Sequence, residues 1–367
     1  MARVMLAAGG TGGHIFPALA VGDYLQQQGH DVLLLTDKRG EAMVMGKISY
    51  KLISAASPFQ KGIFNKMLGL VRLGIGFLQS LGAMIVKRPQ AVIGFGGYPS
   101  FAPIMAGRIM RAKCILHEQN AVMGRANRML ARWVHDIALS FAITKGAPAQ
   151  KNITLTGLPV REAFHEITPY QPVNSGYHIL VIGGSLGAQI FADIIPQAIA
   201  LLPEAVKGKI TLTQQARDEH IASLKQAYQA MGLTADVARF FHNVPDLCEA
   251  SDLIISRSGA SSVQEIATSG RPALLIPFAG AMDDHQTGNA MRLVEAGGAV
   301  MIDERTATAE ILSQHLLAIL TDDNKRQEMA KAGTTLGHEN ASAAIAALTG
   351  LAPRLSQTSA PHQGMRS

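Results

Sequence analysis

Two glycine-rich turns of one kind, Gly9-Gly10-Thr11-Gly12-Gly13-His14 and Gly183-Gly184-Ser185-Leu186-Gly187-Ala188, lie about half the chain apart. Each directly follows a short apolar run, Val4 to Ala8 in the first case and His178 to Ile182 in the second. Beyond the first turn Ile15, Leu19, Gly22 and Leu25 recur at helical spacing, so the order is strand, loop, helix. Glycine suits that corner because a tight strand-to-helix turn needs unusual dihedrals, and bare backbone lets an anionic group approach the positive helix end. One such loop often serves only close packing. Its repetition in both halves, with Thr or Ser among the glycines, predicts two nucleotide-fold domains facing one another.

The chain has 367 residues, 48% apolar and 16% charged, which is enough for two cores of ordinary domain size. Short apolar runs at 4–8, 31–36, 51–55, 91–94, 113–117, 136–140 and 152–156, then 178–182, 209–213, 252–256, 273–276 and 299–302, alternate with helical stretches. That succession implies parallel sheets covered on both faces, an α/β architecture of two Rossmann-like doubly wound domains. Thr156-Gly157-Leu158-Pro159-Val160-Arg161 and the polar segment Thr168 to Ser175 read as hinge and linker. The alanine-rich stretch from Asn340 to Leu351 reads as helix, and 353–367 as a disordered tail with little to pack.

Cys114 and Cys248 fall in separate halves, so neither a disulfide framework nor a metal knuckle is expected, and a reducing compartment is. Val4 to Ala8 is too short for a signal-peptide core, so export by that route is not expected. A net charge of +6 raises nucleic acid as a partner, but there is no long Lys/Arg run and only 5% aromatics to stack bases. An anionic membrane surface fits better. Met67 to Val86 is a 20-residue run broken only by Arg72 and flanked by Lys61, Lys66, Lys87 and Arg88. Its length permits a membrane span, while Gly69, Gly74, Gly76, Gly82, Gln79 and Ser80 argue against one. The plain reading is one or two core helices on the sheet; the second is an interfacial apolar patch with a basic rim.

The densest chemistry is Ser256-Arg257-Ser258-Gly259-Ala260-Ser261-Ser262-Val263-Gln264-Glu265, where an apolar strand ends and small residues open a helix. Exposed amides and the hydroxyls of Ser258, Ser261 and Ser262 suit a diphosphate, and Glu265 suits the two hydroxyls of a ribose. A serine-capped helix with a solvated Glu is the bland alternative. Asp283-Asp284-His285-Gln286-Thr287-Gly288-Asn289 follows another strand and opens another helix, aimed at the same crevice. Its adjacent aspartates read as helix caps rather than as a metal pair. In the first half Tyr98 and the run His117-Glu118-Gln119-Asn120 sit just past apolar strands, and His14 stands at the exit of the first glycine loop. For His117 and Gln119 a satisfied buried network weighs equally with a site.

Taken together, Gly9 to His14, Gly96 to Tyr98, His117 to Asn120, Gly157 to Arg161, Gly183 to Ala188, Arg257 to Glu265 and His285 to Ala290 resemble the bacterial peptidoglycan N-acetylglucosaminyltransferases. Members move N-acetylglucosamine from UDP-N-acetylglucosamine to undecaprenyl-diphospho-muramoyl-pentapeptide. The resemblance spans roughly residues 3 to 345 and implies the GT-B fold, with an amino-terminal acceptor domain over 1–157, a donor domain over 158–340, and a last helix, 341–352, returning to the first domain. It implies donor phosphate or sugar contacts for Arg161 and Ser185, uracil at the backbone of Phe241, diphosphate at the helix start Ser258, Gly259, Ala260, Ser261, Ser262 and Val263, and ribose at Glu265. Gln286, Asn120 and the loop Thr11, Gly12 and Gly13 complete the sugar pocket, with His14, Tyr98 and Glu118 on the acceptor side. Where Leu158 and Leu186 stand the family often carries Asn and Gln, so neither position receives a polar contact.

The mechanism implied is one direct, inverting displacement with no cofactor and no metal, the growing charge on UDP being met by helix-end and loop amides and Arg161. His14 is the candidate base and Glu118 the fallback. The resemblance puts the chain at the cytoplasmic face of the inner membrane as a peripheral enzyme, and leaves open partnership with other cell-wall synthesis enzymes. Three other readings stand beside it: a different GT-B lipid glycosyltransferase, a UDP-N-acetylglucosamine 2-epimerase, and a nucleotide-sensing module that binds UDP-sugar without releasing UDP.

Overall fold

The computed structural model describes residues 1–351 except 45, 47, 57–61, 150–151, 173–175, 185–186 and 338–339. Ser185, Leu186 and the expected tail from 353 therefore lie outside the described residues.

Among the described residues seven strands form the first sheet: β1 Arg3–Ala7, β2 Asp31–Thr36, β3 Tyr50–Leu52, β4 Ala91–Gly94, β5 Lys113–Glu118, β6 Asp136–Leu139 and β7 Asn152–Leu155. Six form the second: β8 Tyr177–Ile182, β9 Ile210–Gln215, β10 Thr234–Ala238, β11 Leu253–Ser256, β12 Ala273–Leu275 and β13 Ala299–Met301. Every pairing is parallel, in the orders β3-β2-β1-β4-β5-β6-β7 and β10-β9-β8-β11-β12-β13. Both are doubly wound, and the strand order reverses between β1 and β4 and again between β8 and β11, where such folds open their ligand crevice. The two glycine turns follow β1 and β8; the loops of Tyr98 and of Ser258 follow β4 and β11.

Near-continuous apolar strands are what burial on both faces demands. Leu6, Ile93 and Ile115 point to one packed layer of the first sheet, and Met5, Val92 and Cys114 to the other. The second sheet repeats this with Ile179, Val181 and Ile255 against Leu180, Ile254 and Leu275. Ile345 and Ala346, on the Ala341–Ala347 helix, join the first domain's core beside the Gly12–Gln27 helix. Burial raises the thiols of Cys114 and Cys248 to about 11 and about 12, so both stay protonated and inert near neutral pH.

Strand β10 has no counterpart among the apolar runs read from the sequence. Thr234-Ala235-Asp236-Val237-Ala238 buries only Val237, because it is an edge strand with one face on the core.

The Met67–Val86 run lies within one 25-residue helix, Ile63–Lys87, and the core-helix reading does not hold for it. Only 28% of its apolar window is buried, whereas Phe64, Met67, Leu70, Val71, Ile75, Leu78, Ile85 and Val86 are exposed. The narrow inner face, Gly76, Ser80, Ala83 and Met84, is largely small, which brings the helix close to the domain. A Cβ on Gly76 would stand 2.0 Å from the Ser54 carbonyl oxygen, and Gln79 accepts the Ser54 N–H at 2.7 Å. A helix stitched so tightly to the loop after β3 lies along the domain surface.

Candidate active site

The first glycine loop is held from behind by Asp37, at the carboxyl end of β2. One of its oxygens accepts the N–H groups of Gly10 and Gly40, each at 3.0 Å, and the other engages Arg39. Gly9 leaves no room for a side chain, since a Cβ would meet Pro99 at 2.6 Å. The loop delivers His14 onto the first turn of the Gly12–Gln27 helix, its half-buried ring lying on the backbone of Gly96 and Gly97. Both of those glycines have positive φ, +87° and +71°, and a Cβ at Gly96 would crowd the imidazole at 3.2 Å. His14 Nδ1 lies 3.3 Å from Gln119 Oε1. Burial holds its pKa below the ordinary histidine value, against the opposing pull of the Glu118 charge and the Gln119 hydrogen bond.

Glu118 ends β5 and is 1% exposed. Its Oε1 accepts the backbone and side-chain N–H groups of Asn120 at 3.0 and 3.1 Å, and its Oε2 those of Gly124 and Asn127 at 2.9 and 2.8 Å. Four donors saturate both oxygens. Glu118 is thus a scaffold for the 118–127 loop and an electrostatic neighbour of His14, without the free lone pair that a fallback base requires.

Opposite, the Ala260–Ser269 helix starts after β11 with Gly259 as its N-cap. Its first intrahelical bond runs from Val263 N–H to Gly259 O at 3.0 Å, so the N–H groups of Ala260, Ser261 and Ser262 precede it. Two expected contacts change here. Val263 uses its N–H within the helix and its side chain in the core, so it has nothing to offer a ligand. Ser258 is fully buried and donates its hydroxyl to the Gln286 carbonyl at 2.8 Å, which ties two loops together instead of facing an anion. Arg257 is likewise consumed, by Glu304 and by the carbonyls of Ile276 and Pro277.

Glu265 and Arg161 meet directly at 3.1 Å, with the guanidinium stacked 5.1 Å from the Phe16 ring and 4.9 Å from Phe164. Burial holds the Glu265 pKa above the ordinary carboxylate value, against the opposing pull of the Arg161 charge and hydrogen bond. The Gln286 carboxamide oxygen accepts Phe278 N–H at 3.0 Å, and Tyr98 and Phe241 stand half-buried in the loops after β4 and β10.

The two domains touch along these carboxyl ends. Ser261 Oγ donates to Gly13 O at 3.4 Å. Asn289 Nδ2 donates to Asn120 Oδ1 at 3.2 Å, and its Oδ1 accepts Ala121 N–H at 3.0 Å. Neither aspartate of the 283–284 pair caps its helix through a backbone N–H: Asp283 reaches Arg128 at 2.7 Å across the domains, and Asp284 accepts the Thr287 hydroxyl. Among the described residues no group of His, Cys, Asp and Glu gathers as metal ligands do.

Residues 4–139 match the glycosyltransferase family 28 N-terminal domain, and 178–345 the glycosyltransferase family 28 C-terminal domain. The chain belongs to glycosyltransferase family 28. It is 40% identical over 355 residues to the UDP-N-acetylglucosamine–N-acetylmuramyl-(pentapeptide) pyrophosphoryl-undecaprenol N-acetylglucosamine transferase of Granulibacter bethesdensis, covering 94% of this chain and 92% of that one. The crystal structure of Acinetobacter baumannii MurG superposes with a TM-score of 0.77 at 29% identity, over 96% of this chain and 100% of that chain. A putative UDP-N-acetylglucosamine 2-epimerase from Listeria monocytogenes has a TM-score of 0.66 at 13% identity, over 94% and 95% of the two chains, a likeness of fold alone. The GT-B fold is thereby established for this family 28 chain.

In this family 28 framework His14, Tyr98, Glu118 and Asn120 come from the first domain, and Arg161, Phe241, Ala260, Ser261, Ser262, Glu265 and Gln286 from the linker and the second. Two residues with structural control over the site lie outside the groups singled out from the sequence, Asp37 and Asn127, whereas Asn289 closes the run from Asp283 that reads as aimed at the crevice. Asp37 directly follows the β2 run, where a polar residue faces the crevice, so position alone was the available signal.

Proposed function

We propose that the chain transfers N-acetylglucosamine from UDP-N-acetylglucosamine to the C4 hydroxyl of the muramoyl residue of undecaprenyl-diphospho-muramoyl-pentapeptide, as an inverting enzyme of peptidoglycan synthesis. The observation that carries this reading is the contact of Ser261 with Gly13, which sets an anion-binding helix start against the loop bearing a half-buried imidazole. The acceptor hydroxyl loses its proton to His14 as its oxygen bonds to the anomeric carbon. The bond from that carbon to the β-phosphate breaks on the opposite side, so the α-linked donor gives a β-linked product. Charge growing on UDP meets the amides of Ala260, Ser261 and Ser262 and the positive helix end.

Glu265, oriented by Arg161, takes the ribose hydroxyls through its second oxygen; the Phe241 backbone meets uracil, and Ser185 the donor phosphate or sugar. Gln286, Asn120 and the Thr11 to Gly13 loop enclose the hexose, and Tyr98 lies on the acceptor side. The enzyme works at the cytoplasmic face of the inner membrane, seated by the exposed Ile63–Lys87 helix with Lys66, Arg72 and Arg88 towards anionic headgroups.

The test is UDP release from UDP-N-acetylglucosamine with and without the lipid acceptor. Release that needs the acceptor and yields a β-linked disaccharide is the expected result, and His14→Ala lowers kcat by about 100- to 10,000-fold. Donor consumption without acceptor would make the chain an epimerase, and an α-linked product would overturn direct displacement.

A further inference from the structure

Behind His14 lies a chain of hydrogen bonds whose direction is forced by its two ends. Gly157, in the segment between the two sheets, offers a carbonyl oxygen 3.1 Å from His117 Nε2. A carbonyl only accepts, so that nitrogen carries the proton. Ser140 agrees: its hydroxyl donates to the Glu118 carbonyl at 2.9 Å, which leaves only its lone pair for His117 Nε2 at 3.2 Å. His117 is fully buried and uncharged at neutral pH, so its Nδ1 is an acceptor, and Gln119 Nε2 lies 3.2 Å from it. The same amide nitrogen donates to the Phe95 carbonyl at 2.7 Å. Both amide protons of Gln119 are then used, which orients the carboxamide and turns Oε1 towards His14 Nδ1 at 3.3 Å. An amide oxygen only accepts, so His14 carries its proton on Nδ1. Among the described residues the ring's side-chain hydrogen bond is made by Nδ1 and not by Nε2, and the Phe95 carbonyl is a further acceptor beside the ring.

We propose that Gln119 is a positioning residue that locks His14 in the tautomer with Nδ1 protonated and Nε2 free to take the acceptor's proton. This rests on the reading of His14 as the base. A neutral imidazole in water populates both tautomers, and only one of them presents a basic nitrogen where Nδ1 is sequestered against Gln119. The lock starts from a carbonyl in the interdomain linker and passes through His117, a residue that itself meets no substrate. The titratable groups facing the His14 ring are Glu118 from the end of β5, whose charge favours the imidazolium, and His285 from the His285–Glu295 helix, which opposes it; His117 lies behind Gln119.

The experiment is long-range 15N–1H NMR of histidine-labelled full-length protein near neutral pH, with the His14 ring assigned by its loss in His14→Ala. The wild type is expected to show protonated Nδ1 and bare Nε2; the reverse tautomer, or a mixture, overturns the proposal without any variant. Gln119→Met removes both donors and the acceptor. It is expected to give mixed tautomers and to lower kcat about 10- to 100-fold while KM for UDP-N-acetylglucosamine stays within about twofold. Gln119→Glu sets a carboxylate against Nδ1, and the acid limb of the kcat/KM profile is expected to move to higher pH, a shift that mere loosening of the fold does not produce. An unshifted tautomer in Gln119→Met sinks the lock whatever the base is. A shifted tautomer with unchanged kcat supports the lock and removes His14 as the base, so the two failures are told apart.

Discussion

Single residues in this site differ in whether their hydrogen-bonding capacity is already consumed. Glu118 and Ser258, both expected to act, are fully engaged by protein groups; the first amides of the Ala260–Ser269 helix are not, and His14 meets its side-chain partner through Nδ1 and not Nε2. His117 gives the sharpest consequence. Burial lowers its pKa from 6.5 to about 4, against a weaker pull from the Gly157 hydrogen bond. The unfolded chain therefore gains a proton as pH falls through 6.5, while the folded chain does not until about 4. Stability is whole above pH 6.5 and is lost across that window by roughly 3 kcal/mol from this residue alone. Urea unfolding followed by the fluorescence of Trp133, the single tryptophan and a reporter of the first domain, reads this directly. In His117→Gln the acid-induced loss is expected to shrink by about that amount, and an unchanged loss would mean that the proton goes elsewhere. The sequence showed His117 and Gln119 as a polar run past a strand. It did not show which atom gives and which accepts, because Phe95, Ser140 and Gly157 lie 23 to 40 residues away and meet them only in the fold.

At the scale of elements, the glycine turns were legible because their function is local: a positive φ or a missing Cβ is written in one residue. The Ile63–Lys87 helix was not, since leucine and isoleucine spell a core face and a lipid-facing one alike, and only the fold decides which is covered. The same fold selects the variants that separate the two. Ile75 and Leu78 are 46% and 67% exposed, whereas Phe77 packs partly against the first domain's core. Ile75→Asp with Leu78→Asp is therefore expected to change stability by about 0.5 kcal/mol or less per site, and to cut co-sedimentation with phosphatidylglycerol vesicles about tenfold. Phe77→Asp destabilises the domain and confuses the two readouts. Undiminished vesicle binding by the double variant would take the membrane contact away from this helix. High salt is expected to weaken wild-type binding, because exposed Lys66, Arg72 and Arg88 add a screened attraction.

For the whole molecule, catalysis requires two separately packed sheets to hold one geometry, and the contacts between them differ in kind. The Arg128–Asp283 pair is 39% and 37% exposed, so it contributes about 0 to 1 kcal/mol and is screened by salt. Asn289 is fully buried, and both ends of its amide bridge the domains or brace Ser258; truncating it strands the Ala121 N–H and the Ser258 carbonyl at roughly 1 to 3 kcal/mol. Asp283 also sits in the left-handed region, with φ of +54°, where Asn is well tolerated. Asp283→Asn thus removes the charge without disturbing the backbone. It is expected to lower kcat/KM for UDP-N-acetylglucosamine by less than about fivefold, with the difference vanishing at high salt. Asn289→Ala is expected to lower it by about 5- to 150-fold, independently of salt, because a buried unsatisfied amide is not screened. Steady-state UDP release at low and high salt compares the two. If the charge variant proves the more damaging, or its loss persists in high salt, the domains are held by the exposed ion pair and not by the buried carboxamide. The hinge around Gly157 would then set the closed geometry against an electrostatic clasp.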